Sequence, residues 1–342
     1  MRHANIAFFI PHNGCPHQCS FCDQRSITGQ KKQPSPEEIR ETLRRATDQM
    51  GERAHKAEVA FFGGSFTAIE GDYRRALLSA AAPFIQKGIF GGIRISTRPD
   101  AISPEILEEL QEAGVTAIEL GAQSMDDNVL LCNQRGHTAK DVENASRLIH
   151  SFGFSLGLQM MTGLYGSTPQ KDRDTAQQFL RLKPDTVRIY PTVVMRHTKL
   201  GDLYQQGLYQ PPGLEETIPL CAGLLRLFES YGIPVIRLGL HDTPQLHQDA
   251  LAGALHPALR ELCENWIFLE DIRKRIQEDH VPSGKITLWV CPKEISKAVG
   301  QKKSNIEALK QEGYEMAVKG DGSLLPGRFW IESVFGSEKN QD

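Results

Sequence analysis

Three cysteines close to the N-terminus have a spacing that could hold an inorganic cluster. Cys15, Cys19 and Cys22 lie in the stretch CPHQCSFC, separated by three and then two residues. A cubane iron–sulfur cluster normally takes four cysteine ligands. A set of three therefore predicts a [4Fe-4S] cluster with one iron left open to a small molecule. The alternatives are free cysteines or a zinc site, for which His12 or His17 could supply the fourth ligand.

A glycine pair follows the apolar run EVAFF. Gly63 and Gly64 have no side chain, so a ligand can approach the backbone closely at this point. The alternative for a lone glycine pair is a plain turn between a strand and a helix.

The cysteine spacing resembles that of the radical S-adenosylmethionine (SAM) enzymes, in which the methionine end of SAM binds the open iron. The segments FFGGSFT, STRPD and IELGAQSMDDNVLLCNQRGHT are similar to the branch that contains coproporphyrinogen oxidase and the Elongator catalytic subunit. In this superfamily a Gly-Gly-Glu type of motif holds the methionine amino group. The resemblance implies that role for Gly63 and Gly64, with Ser65 at the position of the glutamate, so a backbone contact remains.

The same resemblance nominates three further residues that bind SAM. It implies that Gln123 and Arg135 contact the cofactor, and a guanidinium can form a fork with the SAM carboxylate while an amide serves the ribose or methionine end. Gln159 is placed by the resemblance near the ribose or adenine.

Charged and polar residues late in the apolar runs are candidates for the substrate side of a site. Arg188, Tyr190 and Arg237 belong to this group, and His197 follows shortly after the first two. For any one of them, the alternative is a buried tyrosine or an arginine held in a salt bridge.

Short apolar runs alternate with amphipathic segments over the first two-thirds of the chain, a pattern typical of repeated βα units and a parallel sheet. A capping box at Ser35, Pro36 and Glu38 predicts the start of a helix. Similar starts occur at Ser103, Thr138 and Thr168. The predicted strands are Ile6 to Ile10, Glu58 to Phe62, Ile93 to Thr97, Ala117 to Gly121, Ser155 to Met160, Thr186 to Tyr190 and Pro234 to Leu238.

This order predicts an α/β fold with a partial (β/α)6-type, TIM-like radical SAM barrel over residues 1–245. In such a barrel the loops after the strands face the reaction site. The cysteine loop, the glycine pair, the segment TRPD and the QS pair each follow a predicted strand. They are therefore expected at one end of the barrel.

A helical connector over residues 246–282 is expected to lead to a small domain over 283–336, followed by a tail over 337–342. The small domain has the order strand, helix, tight turn, helix, strand, and the string AVGQKKSNIEAL resembles the GXXG loop of KH RNA-binding modules. The candidate RNA-binding residues are Gly300, Gln301, Lys302 and Lys303, with Lys303 in place of the second glycine. The alternative is a small α/β lid over the barrel.

Composition sets the remaining expectations. The chain has 342 residues, 40% hydrophobic and 24% charged, and a net charge of -3, so any RNA site must be a local patch. Seven cysteines, an odd number, favour a reducing compartment, and no membrane span is visible, so we expect a cytoplasmic protein.

The sequence thus predicts a radical SAM enzyme that cleaves SAM reductively at a [4Fe-4S] cluster to give a 5′-deoxyadenosyl radical. RNA, transfer or ribosomal, is the first substrate hypothesis, with RNA bound through the C-terminal domain. Flavodoxin or ferredoxin is the expected electron donor, and no membrane partner is expected. The alternatives are a small metabolite or porphyrin as substrate, and a cluster-containing RNA-binding protein without turnover.

Overall fold

The computed structural model describes residues 4–16, 18–23 and 32–333. The chain divides into two compact units, the first formed by residues 1–217 and 227–257 and the second by residues 218–226 and 258–342. Among the helices that the structure describes, none has both the length and the apolar character needed to cross a bilayer.

The first unit contains a seven-stranded sheet in which each neighbouring pair is parallel. The strand order is β1-β2-β3-β4-β5-β6-β8. This is the predicted partial barrel, with each predicted strand in place and its ends shifted by two residues at most. The strands are β1 (Ala4–Phe9), β2 (Ala57–Phe62), β3 (Ile93–Thr97), β4 (Val115–Gln123), β5 (Ser155–Thr162), β6 (Thr186–Pro191) and β8 (Val235–Leu238).

Helices connect the strands. They are α1 (Pro36–Met50), α2 (Gly71–Gln86), α3 (Pro104–Glu112), α4 (Asp127–Cys132), α5 (Ala139–Ser151), α6 (Pro169–Leu182), α7 (Lys199–Gln205), α8 (Leu214–Ser230) and α9 (Pro244–Asp249). The capping box at Ser35 is confirmed, since the Ser35 hydroxyl accepts from the Glu38 amide and the Glu38 carboxylate accepts from the Ser35 amide. Thr138 begins α5 in the same way with Asp141.

A second, two-stranded antiparallel sheet was not predicted. It pairs β7 (Val193–Met195) with β9 (Ala250–Gly253). Its apolar side chains pack with Leu246 in a small cluster.

The second unit has the predicted order strand, helix, turn, helix, strand, with one more strand after it. Its elements are α10 (Leu259–Glu278), β10 (Gly284–Val290), α11 (Ile295–Val299), α12 (Ser304–Gln311), β11 (Tyr314–Gly320) and β12 (Phe329–Ser333). β10 lies in the centre of the sheet, parallel to β11 and antiparallel to β12. Ile272, Leu288 and Leu309 are fully buried in its core.

Candidate active site

The loops after the strands of the first unit surround one cavity of about 660 Å³. The cavity brings together most of the predicted site residues, which extend in the chain from Cys15 to Gln159. Those that line it are Cys15, Cys19, Cys22, Gly63, Gly64, Gln123, Arg135 and Gln159.

The cysteine loop is held in shape by hydrogen bonds to later segments. Within the loop, the Cys22 amide donates to the Cys19 carbonyl at 3.1 Å. The Ser20 hydroxyl donates to Oδ1 of Asn133 at 2.8 Å, and the Ser20 amide donates to the Asn133 carbonyl at 3.1 Å. The Leu200 amide donates to the Ser20 carbonyl at 2.7 Å. The barrel therefore fixes the position of this loop.

The Cys15 and Cys22 thiols are influenced electrostatically by Cys19. Burial raises the pKa of Cys15 and of Cys22, and the neighbouring Cys19 raises both further. Arg135 acts in the opposite direction on both thiols. Because thiolates are the form that binds iron, a bound cation would relieve this cost of ionisation.

The two histidines of the zinc alternative are placed differently. Nε2 of His12 lies 3.5 Å from Oδ1 of Asp23. His17 lies outside the described residues. Among residues 4–16, 18–23 and 32–333, no three His, Cys, Asp or Glu side chains are placed to share a single metal ion.

The glycine pair lies against the cysteine loop. Gly63 and Gly64 have φ angles of 81° and 55°. A Cβ atom on Gly64 would lie 2.1 Å from the carbonyl oxygen of Asn13. The Ser65 amide donates to that same oxygen at 2.9 Å. Only glycine fits at position 64, and both glycines line the cavity.

Ser65 does not line the cavity. Its hydroxyl is buried and lies 2.8 Å from Oγ1 of Thr97. It also accepts from the Arg98 amide at 3.2 Å. The hydroxyl thus joins the segments that follow β2 and β3.

Arg135 reaches the cysteine loop. Its Nη1 donates to Sγ of Cys19 at 3.0 Å, and its Nη2 donates to the Gly121 carbonyl at 2.5 Å. The guanidinium carbon lies 5.9 Å from the centre of the Phe21 ring. The remaining nitrogen, Nε, is buried without a protein partner.

Two more buried polar atoms near Arg135 lack protein partners. They are Oε1 of Gln123 and Nδ1 of His137. Gln123 has a φ of 67° at the end of β4, a backbone form that few residues other than glycine adopt. His137 is bound through Nε2 to the Ala122 carbonyl at 3.1 Å. The orphaned atoms of Gln123 and Arg135, which both line the cavity, fit a polar ligand such as SAM. His137 does not line the cavity.

Gln159 belongs to an ionic network on the strands. Its Nε2 donates to Oε2 of Glu119 at 3.0 Å and to Oγ of Ser96 at 3.3 Å. Glu119, only 1% exposed, also contacts Arg94 at 3.3 Å and Arg188 at 2.7 Å. The sequence reasoning missed Glu119 and Arg94, although charges within otherwise apolar strand segments were a signal.

The substrate-side candidates divide into two groups. Arg188, Tyr190 and Arg237 line the cavity. His197 is exposed and is not among the lining residues, because it lies in the turn between β7 and α7. Its role on the substrate side stays a prediction from sequence.

Comparison with known proteins identifies the families that the chain resembles. The model of the radical SAM superfamily matches residues 9–179. A model described as the radical SAM C-terminal domain matches residues 184–268.

Individual relatives agree with these matches. A tRNA uridine(34) acetyltransferase of Dehalococcoides mccartyi (strain CBDB1) is 27% identical over 285 residues, which are 73% of this chain and 62% of that protein. Elongator complex protein 3 of Homo sapiens is 30% identical over 260 residues, 68% of this chain and 47% of that protein. The solved structure of Methanocaldococcus infernus Elp3 with an N-terminal deletion has a TM-score of 0.60 at 21% identity, covering 82% of this chain and 65% of that one. The chain thus spans less than two-thirds of the length of each.

Proposed function

Because this chain belongs to the radical SAM superfamily, whose enzymes use a [4Fe-4S] cluster and SAM, we propose that it modifies RNA, with transfer RNA as the first candidate. When bound, the cluster and SAM would supply the chemistry, a one-electron cleavage of SAM that yields a radical able to take hydrogen from the substrate. Flavodoxin or ferredoxin is the proposed electron donor. The seven cysteines of the chain, an odd number, agree with a reducing, cytoplasmic setting.

The main support for this proposal is the set of residues that meet at the cavity. The three predicted cluster ligands and the unpartnered polar atoms of Gln123 and Arg135 meet at a single cavity. In our proposal Cys15, Cys19 and Cys22 hold three irons of the cluster. The backbone at the glycine pair and the side chains of Gln123 and Arg135 then orient SAM.

The walls of the cavity suit a reactive radical. Phe9, Phe62, Met161 and Val193 contribute apolar surface to the lining. Apolar walls exclude water, which protects a reactive intermediate from side reactions. A substrate atom that reacts within the cavity would therefore be shielded from water.

The names of the relatives support RNA as the substrate. Those of Dehalococcoides mccartyi and of two Methanocaldococcus species are named tRNA uridine(34) acetyltransferase. Because the chain matches only part of each, the activity of the whole relative is not carried over. The proposal takes from them the substrate class alone.

The second unit contributes the proposed RNA contact. The turn after α11 has Gly300 with a φ of 79°, Lys302 with 52° and Lys303 with 64°. A Cβ on Gly300 would lie 2.4 Å from Oγ of Ser304, so the turn requires glycine there. The two exposed lysines then extend from a tight backbone turn, an arrangement suited to phosphates. We propose that this KH-like unit binds RNA.

The first experiment measures release of 5′-deoxyadenosine by anaerobically reconstituted, dithionite-reduced protein. We expect release to be stimulated by total cellular RNA and to be abolished in Cys19→Ala. Cys132→Ala is the matched control, since Cys132 is exposed and does not line the cavity. Retained cleavage in Cys19→Ala would refute the cluster assignment. Stimulation by a small-metabolite extract alone would instead favour a lid role for the second unit.

Filter binding tests the RNA contact separately. The double variant Lys302→Ala, Lys303→Ala is expected to bind RNA more weakly and with a smaller salt dependence, because two phosphate contacts are lost. Lys274→Ala is the control, since Lys274 is an exposed lysine on α10. Equal binding by all proteins would remove the turn from the RNA site.

A further inference from the structure

Two arginines lie opposite each other across neighbouring strands of the cavity wall. Arg188 of β6 and Arg237 of β8 are partners in the register of that parallel pair. Both line the cavity. Like charges directly opposite on adjacent strands are unfavourable, so this placement needs a compensating negative charge.

Only Arg188 is paired with a negative charge. Nε of Arg188 lies 2.7 Å from Oε2 of Glu119, and Nη2 lies 2.8 Å from Oε1. Arg237 donates instead to two neutral carbonyls, those of Gly239 at 2.8 Å and Leu240 at 2.5 Å. Within the part of the chain that the structure describes, no carboxylate forms an ion pair with Arg237.

The other arginines of the lining have their partners. Arg98 forms two hydrogen bonds with the Asp100 carboxylate, at 2.9 and 2.8 Å. Arg135 donates to Sγ of Cys19. Arg237 is thus the lining arginine, among the described residues, whose charge no acidic or sulfur group meets.

The positive charges of Arg188 and Arg237 affect the neighbouring His241. The pKa of His241, which also lines the cavity, is lowered by burial and then by the charges of Arg237 and Arg188. The Tyr190 hydroxyl, whose pKa is raised chiefly by burial, lies beside the Arg188 guanidinium and supplies a neutral donor. A cation, a second cation and a phenol therefore face the same part of the cavity.

We propose that the wall formed by Arg188, Tyr190 and Arg237 binds an anionic group of the substrate, either a phosphate or a carboxylate. The inference rests on the proposed function only in taking the cavity as the substrate site. Arg237 supplies the uncompensated charge and donors that suit both anions. Arg188 stays paired with Glu119 and adds to the positive electrostatic potential at this wall of the cavity.

Arg237 is the residue to change. Removing Arg188 would leave Glu119 buried with one fewer partner, and that variant can fail to fold for this reason alone. Arg237→Gln removes the charge and keeps a donor for the carbonyls of residues 239 and 240. Arg147→Gln is the matched control, because Arg147 is an exposed arginine of α5 that contacts Asn144.

Inorganic phosphate and acetate are titrated calorimetrically into the reconstituted, SAM-loaded holoenzyme. We expect saturable binding of at least one anion, weakened about tenfold or more in Arg237→Gln and unchanged in Arg147→Gln. Competition of phosphate by a short oligouridylate, but not by its uncharged methylphosphonate analogue, would assign the anion to an RNA backbone. Acetate binding without phosphate binding would assign it to a small acid.

Two results would overturn the site: no saturable binding of either anion, or equal affinity in Arg237→Gln and the unchanged protein. Release of 5′-deoxyadenosine by the same preparations separates this outcome from a failure of the proposed function. Anion binding that depends on Arg237 in a protein that cleaves no SAM would leave the site standing and remove the function.

Discussion

Nη1 of Arg135 donates a hydrogen bond of 3.0 Å to Sγ of Cys19. Hydrogen bonds to the sulfurs of an iron–sulfur cluster, together with nearby charge, are among the factors that set its reduction potential. Arg135, nominated from sequence as a SAM ligand, is thus placed to act on the cluster as well.

Replacing Arg135 by glutamine is expected to make the cluster harder to reduce. The variant loses a cation and a charge-assisted donor beside Cys19, and both favour the more negative, reduced cluster. The midpoint potential should move to a more negative value in a redox titration followed by electron paramagnetic resonance. Arg147→Gln serves as the control, and an unchanged potential in Arg135→Gln would mean that the contact with Cys19 is lost when the cluster binds.

Gly64→Ala is expected to destabilise the first unit strongly. The new methyl group would lie 2.1 Å from the Asn13 carbonyl oxygen and 2.8 Å from that of Ile10, so the backbone of the cysteine loop must move. We expect a loss of about 3 kcal/mol or more in the free energy of unfolding, measured in urea.

The control is Gly153→Ala. Gly153 has a φ of 79°, but a Cβ there meets no atom within 4 Å. Only the backbone conformation is then disfavoured, at a cost of about 1 kcal/mol. Equal losses in the two variants would show that the close approach at Gly64 is not a constraint.

Asn133→Ala tests the support of the cysteine loop. The variant removes the acceptor of the Ser20 hydroxyl and the donor to the carbonyls of Val129 and Tyr165. Unsatisfied buried groups cost about 1 to 3 kcal/mol each, so both stability and iron content after reconstitution should fall. Asn144→Ala on the exposed side of α5 is the comparison. Full iron incorporation by Asn133→Ala would indicate that the cluster alone orders the loop.

The free energy of unfolding should fall in acid because of His137. Burial, followed by the charge of Arg135, lowers the pKa of His137 from 6.5 to about 4. Below pH 6.5 the unfolded chain takes up a proton that the folded protein does not, so stability is lost as the pH falls towards 4. The loss should reach about 3 kcal/mol.

A comparison of the unchanged protein with His137→Gln isolates this contribution. Asp172 has the opposite effect on stability in acid. Burial raises its pKa from 3.8 to about 6, so the folded protein takes up a proton at a higher pH than the unfolded chain does. Asp172 is present in both proteins, so its effect cancels in the difference. Parallel curves of unfolding free energy against pH would rule out the assigned role of His137.

Local signals in the sequence predicted the fold well. The predicted strand Ile93 to Thr97 coincides with β3, and the capping box at Ser35 begins α1. Both depend on nearby residues, so periodicity and capping rules suffice to find them. The cluster loop was found in the same way, from three cysteines within eight residues.

Long-range ionic contacts could not be predicted. Glu119 meets Arg188, which lies 69 positions later, and no periodic signal links one strand to the other. The position of Ser65 illustrates the same limit. The resemblance gives Ser65 the position of a cofactor-binding glutamate, but no local signal shows that its hydroxyl lies 2.8 Å from Oγ1 of Thr97 on the next strand. Such partners are determined by the register of the sheet.

The contacts that support the cysteine loop also determine when this loop can fold. Ser20 is bound to Asn133, 113 residues later, and its carbonyl accepts from the Leu200 amide. Contacts between such distant segments form only after the intervening chain has been synthesised and has folded. The cysteine loop can therefore take its position only after the chain has been made at least as far as Leu200.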